Sequence, residues 1–177
     1  AAGLNARGEL AKSTVVATVM SNLGFFKAME AAGIKVEVTG VGDRYVLEKM
    51  LSEDLALGGE QSGHVIYRKF ANTGDGILTA LTLLQEIKRA NKSLKDAAAI
   101  MQKFPQVLIN VKDVAKEKLG SSEVIKRAVE KSETQLAGAG RVLLRASGTE
   151  ALVRVMVEAS TDTLASSVAE DLAEVVK

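Results

Sequence analysis

The 177-residue chain is 47% hydrophobic and 25% charged, with a formal net charge of +1. It can therefore build real cores, but it has no global field to draw it toward nucleic acid or an acidic membrane. Aromatics make up 3% and Trp is absent, too few for base stacking along a single strand. Cysteine is absent and His64 is the one histidine, which excludes disulfides, thiolate metal sites, cysteine nucleophiles and multi-histidine centres.

No apolar run reaches the roughly 18 residues of a membrane span, and no basic-then-apolar signal opens the chain. Together with the absence of thiols this gives a cytoplasmic expectation. The start at Ala1-Ala2, without an initiator Met, fits the tail of a longer polypeptide.

In chain order, the apolar β-branched run 15–19 predicts a buried strand and 23–32 a helix stopped by Gly33. Strand character resumes over 34–39, and a short helix follows over 45–51 after the turn at Gly42-Asp43. The run 55–57 leads as a strand into Gly58-Gly59, and a polar segment reaches to His64. Strand, helix, strand, helix, strand implies an α/β layer with parallel pairing. Asp75 is placed to cap an amphipathic helix to about Ala90 whose apolar positions include Ile77, Leu78, Leu81 and Leu84. Ser93 is placed to cap another helix over 94–102.

The one proline, Pro105, marks a composition break, and two domains are expected, 1–104 and 105–177. The second has strands over 107–111, 141–145 and 153–158 and a helix capped by Ser121 or Ser122 with Ile125, Ala128 and Val129 inward. It closes with a helical stripe of Leu164, Val168, Leu172 and Val175. This order predicts a small α+β domain with a largely antiparallel sheet and its helices on one face.

Two segments carry candidate chemistry. Arg145-Ala146-Ser147-Gly148-Thr149-Glu150, followed by Arg154, joins two strands and gathers guanidinium forks, hydroxyls and a turning backbone. That chemistry suits a phosphate; an ordinary polar hairpin is the plain alternative, and Glu150 is placed to fix one arginine. Gly58-Gly59-Glu60-Gln61-Ser62-Gly63-His64 follows a strand at the end where open α/β sheets bind ligands. If the loop is extended, Glu60, Ser62 and His64 alternate onto one side and suit sugar hydroxyls or an amine. Asp43 and Arg44 either pair with each other or line the same cleft, while Lys12 and Lys69 read as solvated charges.

Gly59-Glu60-Gln61-Ser62-Gly63-His64 resembles the sugar-recognition loop of the phosphohexomutases. Arg145-x-Ser147-Gly148-Thr149-Glu150 with Arg154 resembles their phosphate-binding loop, with Ala151 where the family usually has Pro. The runs Val19-Met20-Ser21-Asn22-Leu23-Gly24, Val41-Gly42-Asp43-Arg44-Tyr45-Val46 and Thr73-Gly74-Asp75-Gly76 are similar to the bacterial glucosamine-phosphate branch of that family. The five motifs keep the family's order.

The resemblance implies an incomplete three-layer α/β/α third domain over 1–104 and a whole fourth domain over 105–177, from a four-domain enzyme with a central cleft. That enzyme would interconvert glucosamine 6-phosphate and glucosamine 1-phosphate through glucosamine 1,6-bisphosphate, using Mg2+ and a phosphoserine that both lie outside this chain. By the same resemblance Arg145, Ser147, Gly148, Thr149 and Arg154 would grip the non-reacting phosphate. Gly42, Asp43, Arg44, Glu60, Gln61, Ser62 and His64 would meet the sugar, with His64 also a candidate for proton transfer, and no metal ligand would lie in the chain. The implied partners are a phosphorylated amino sugar and the remaining domains, with a homodimer of the parent left open. The chain alone would be inactive. A stand-alone phosphosugar-binding module, an interaction protein, and a fragment of a related phosphoglucomutase or phosphomannomutase are the alternatives.

Overall fold

A computed structural model describes residues 1–177 except Ala115, Glu117, Lys118 and Thr149. The chain divides into two units, Ala1–Gln102 and Lys103–Lys177.

In the first unit β1 (Thr14–Thr18), β2 (Lys35–Thr39), β3 (Leu57–Gly59) and β4 (Val65–Tyr67) form one sheet in the order β2-β1-β3-β4. Strand β1 runs parallel to both β2 and β3, as the alternation of strands and helices predicts, whereas β4 returns antiparallel to β3. The sequence reading missed β4, because three residues are too few to show a period of two.

All five residues of β1 are buried, so the strand must be covered on both faces. Val15 meets Leu4 of α1 (Ala2–Ala6) and Ala28 and Met29 of α2 (Leu23–Ala31) on one side. Val16 meets Val46 and Met50 of α3 (Asp43–Ser52), together with Leu55 and Ile66, on the other. Helices on both sides of the sheet make the expected three layers, and each fully buried aliphatic side chain contributes about 1.5–3 kcal/mol.

Helix α2 starts where the Asn22 carboxamide oxygen accepts the Gly24 N–H at 3.0 Å. Gly24 itself is a packing requirement, because a Cβ there would stand 1.9 Å from the Gln102 carbonyl oxygen. The same approach explains why α5 (Leu94–Ala98) is shorter than the helix expected over 94–102. The chain leaves the helix to lay Met101 against the core around Leu4 and to bring Gln102 to Gly24.

Helix α4 (Gly76–Ala90) is capped by Asp75, whose carboxylate accepts the Leu78 N–H at 2.9 Å. Its apolar stripe does not enter a core, since Ile77 is 78%, Leu81 62% and Leu84 61% exposed. Arg7 clamps α1 to α4 with both terminal nitrogens on the Glu86 carboxylate at 2.7 Å. Lys12 and Lys69 are both exposed, as the sequence suggests; Lys12 also donates to the Glu53 carbonyl, and Lys69 stands over the Phe70 ring.

The second unit holds an antiparallel sheet in the order β5-β7-β6, made of β5 (Gln106–Lys112), β7 (Leu152–Glu158) and β6 (Arg141–Ala146). Helices α6 (Glu123–Leu136) and α7 (Asp162–Val176) cover one face, where Val111, Val153 and Val155 pack with Leu172, Ala173 and Val176. Ser122 is the cap of α6, its hydroxyl accepting the Ile125 N–H. The inward stripe of α7 is Ala165, Val168, Ala169, Leu172, Ala173 and Val176. Val175, assigned inward from sequence, is 40% exposed; the helical period carries the stripe from Leu172 to the i+4 position instead.

Gly24→Ala should destabilise the first unit by about 1–3 kcal/mol through overpacking against backbone, read as a lower urea midpoint with an unchanged slope. The hydrogen bond from Arg7 holds the Glu86 carboxyl below the ordinary carboxylate range. The clamp's contribution is therefore full above the unfolded-state value and is lost as pH falls through the depressed folded value. Glu86→Gln should flatten that acid limb in a pH series of melting curves.

Candidate functional site

Three parallel strands end on the same edge of the first sheet, and their following loops meet there. The Gly42 N–H, in the turn between β2 and α3, donates to Glu60 Oε2 at 3.0 Å. Glu60 follows β3, and its side chain is only 8% exposed. One carboxylate thus ties two loops together across 18 residues of sequence. Beside it, the buried Thr18 hydroxyl at the end of β1 donates to Gln61 Oε1 at 3.4 Å.

The segment 60–64 is a tight hairpin rather than the extended loop expected from sequence. Gly63 N–H donates to the Glu60 carbonyl at 3.1 Å and Glu60 N–H to the His64 carbonyl at 2.9 Å. The reversal needs φ +98° at Gly63, a value open to glycine and strained for other residues. Alternation therefore does not align Glu60, Ser62 and His64, yet the hairpin still gathers them. The Ser62 hydroxyl lies 3.0 Å from His64 Nδ1, and Glu60 Oε1 lies 3.7 Å from the same nitrogen.

The turn 73–76 joins this cluster, because a Cβ on Gly74 would stand 3.3 Å from the His64 Cβ. Asp43 and Arg44 do not pair with each other. Asp43 opens α3, where an acidic group suits the helix N-terminus, and Arg44 pairs with Glu48 at 2.8 Å on an exposed helix face. Ser62 and His64 are exposed beside the half-buried Gly42, so this edge offers a hydroxyl, an imidazole and a carboxylate in one place.

The second unit carries the arginines. Arg145 of β6 and Arg154 of β7 are direct cross-strand partners, and Asn110 of β5 is opposite Arg154 on its other side. Val153 and Val155 point into the helix-covered core, so strand alternation puts Arg154 and its two partners on the other face. Both arginine Nε atoms are buried, and neither has a hydrogen-bond partner among the described residues. Glu150 does fix one arginine, accepting from Arg154 Nη2 at 3.3 Å.

Ser147, 4% exposed, accepts the Glu150 N–H on its hydroxyl at 3.2 Å and donates its own N–H to the Leu152 carbonyl at 2.9 Å. Gly148 is exposed with open space around its Cα, and Thr149 lies outside the described residues. Sequence reasoning missed Lys116, whose ammonium donates to the Ser147 carbonyl at 2.7 Å. A contact across 31 residues leaves no local signal in the chain.

Comparison with known proteins gives this geometry its family. The family model described as phosphoglucomutase/phosphomannomutase, alpha/beta/alpha domain III, matches residues 1–104, and the C-terminal domain model matches residues 108–175. The chain belongs to the phosphoglucomutase/phosphomannomutase family.

It is 56% identical over 177 residues to a phosphoglucosamine mutase of Nocardioides sp., covering all of this chain and 40% of that protein. It is 52% identical over 174 residues to the Bacillus licheniformis phosphoglucosamine mutase, covering 98% of this chain and 39% of the relative. The chain therefore spans about two fifths of the length of these relatives. Among solved structures, the N-acetylphosphoglucosamine mutase of Aspergillus fumigatus superposes with a TM-score of 0.79 at 20% identity, over 99% of this chain and 42% of that one. The same fungal enzyme in complex with GlcNAc-6P and magnesium gives a TM-score of 0.75 at 18% identity, over 99% and 41%. At such identities the likeness is one of fold.

Removing the Glu60 carboxylate should release the turn it holds. In Glu60→Ala the Gly42 amide should exchange with solvent roughly tenfold faster, the equivalent of one charge-assisted hydrogen bond, while the amides of β1 stay protected. Unchanged Gly42 exchange would mean that the carboxylate does not hold the loop.

Proposed function

We propose that this chain is the substrate-binding C-terminal part of an enzyme that interconverts glucosamine 6-phosphate and glucosamine 1-phosphate through glucosamine 1,6-bisphosphate. The observation that carries the reading is the register pair Arg145 and Arg154, each with a buried Nε lacking an acceptor among the described residues. A phosphate monoester supplies acceptors for two guanidinium forks and counter-charge beyond the one carboxylate, Glu150, seen on the pair among the described residues.

In this reading Arg145, Arg154, Ser147, Gly148 and Thr149 hold the phosphate that is not reacting. Glu60 and Ser62 meet sugar hydroxyls; Gly42, Asp43, Arg44 and Gln61 line the same subsite; His64 contacts the sugar or carries a proton. A grip on the remote phosphate orients the reacting end, so its binding energy lowers the barrier elsewhere. The amino-sugar assignment draws on the relatives' name, phosphoglucosamine mutase, at 56% and 52% identity.

The fungal neighbours were crystallised with GlcNAc-6P and magnesium and, separately, with glucose 1,6-bisphosphate. Among the described residues no three His, Cys, Asp or Glu side chains cluster so as to hold a metal ion. We assign magnesium and the phosphoryl-carrying serine to polypeptide outside this chain, together with the domains that complete the cleft. A cytoplasmic setting belongs to the same proposal. It draws support from the lack of cysteine and from the lack, among the described residues, of a helix long and apolar enough to cross a membrane.

Two measurements test the reading. In the complete enzyme Arg154→Ala should raise KM for glucosamine 6-phosphate by roughly 10- to 100-fold, the loss of one or two charge-assisted hydrogen bonds; an unchanged KM would remove Arg154 from the anchor. The purified 177-residue chain should show no mutase turnover, and measurable turnover would sink the division of labour.

A further inference from the structure

Ser147 is fastened at every polar group it has. Its N–H goes to Leu152 and its hydroxyl accepts from Glu150, both bonds local to the connection between β6 and β7. The third bond, from the Lys116 ammonium to the Ser147 carbonyl at 2.7 Å, arrives from the segment that follows β5. Lys116 is half-buried, and among the described residues it has no carboxylate partner.

Partly desolvating an ammonium against a neutral carbonyl is unfavourable beside pairing it with an acid. The arrangement makes sense if the charge is needed where it stands. Arg145 precedes Ser147 by two residues, Gly148 follows it, and Glu150 is the single carboxylate seen on the Arg145–Arg154 pair among the described residues. Three cations therefore serve one short connection that holds one acid.

We propose that Lys116 is a positioning residue of the anion-binding segment. By holding the Ser147 carbonyl it sets the path of the backbone into Gly148, and its charge adds to the field at the arginine pair. It acts through Ser147 and does not need to touch the anion. The ligand class is a phosphate monoester, so this half of the inference rests on the function proposed above; the fastening of the loop does not.

The test uses the 15N-labelled 177-residue chain as wild type, Lys116→Met and Lys116→Arg, with amide exchange and titration by glucosamine 6-phosphate. In Lys116→Met the Ser147 and Glu150 amides should exchange about tenfold faster, while the central amides of β7 stay protected and so report an intact fold. Affinity for the sugar phosphate should fall several-fold in the same variant, and Lys116→Arg should restore both readouts. Unchanged exchange at Ser147 and Glu150 overturns the proposal whatever the titration shows. Faster exchange with unchanged affinity overturns the positioning role and leaves a structural tie. Wild-type amides around Arg145 and Arg154 that ignore the sugar phosphate overturn the anion reading itself, and the exchange data still decide whether Lys116 holds the loop.

Discussion

Two arginines, Arg145 and Arg154, are register partners on neighbouring antiparallel strands. Like charges in that position repel, and a sheet built for stability alone would avoid the pairing. The surroundings only partly relieve it. Glu150 reaches one nitrogen of Arg154, and both Nε atoms are buried without an acceptor among the described residues. The opposite end of the same face shows what a satisfied arrangement looks like. There Arg141 of β6 donates from Nε at 2.6 Å to the fully buried carboxylate of Glu158, its cross-strand partner on β7. One sheet therefore holds an arginine matched to an acid and, further along the same strands, an arginine matched to another arginine. Among the described residues the second arrangement is short of negative charge, and on the proposed reading a ligand anion supplies it.

The first unit uses a different device. Glu60 is nearly buried, and one of its oxygens is committed to the Gly42 N–H. The commitment fixes the other oxygen's position relative to Ser62 and His64. Glycine makes the close geometry feasible twice, at Gly63 through its positive φ and at Gly74 through its contact with His64. Rigid strand ends beneath these loops hold them with little conformational freedom left to lose on binding.

Much of this was legible in the chain. Apolar runs and caps predicted β1, β2, α2, α3, α4, α6 and the three strands of the second unit, because those elements are long enough to show a period. Asn22, Asp75, Ser93 and Ser122 all cap helices; Ser93 and Asp75 were read directly as caps, and Ser122 was one of two candidates. What was not legible depends on distance in sequence. The early end of α5 and the bond from Lys116 are set by contacts between segments far apart in the chain, whereas β4, a hairpin partner of β3, is too short to show a period of two. The row of Glu60, Ser62 and His64 failed for a local reason: alternation assumes extended backbone, and the positive φ at Gly63 breaks it. The residues still met, through the hairpin.

The two sites also differ in how much orientation they demand of a ligand, and that difference bears on the proposed reaction. A phosphate presents nearly equivalent oxygens in a tetrahedron, so a pair of guanidinium forks grips it with similar energy whichever carbon of a sugar bears it. The edge built from Gly42, Glu60, Ser62 and His64 is directional, with acceptors and a donor at set positions. An interconversion that passes through a 1,6-bisphosphate must present each phosphate in turn to one reactive group, so the sugar must be held in two opposed orientations. A charge-based anchor accommodates the reversal without rearranging. A hydroxyl-reading edge tolerates it only where the sugar offers comparable hydroxyls from either side. On the proposed reading, then, orientation-blind affinity belongs to Arg145 and Arg154, and discrimination among sugars belongs to the loops gathered around Glu60.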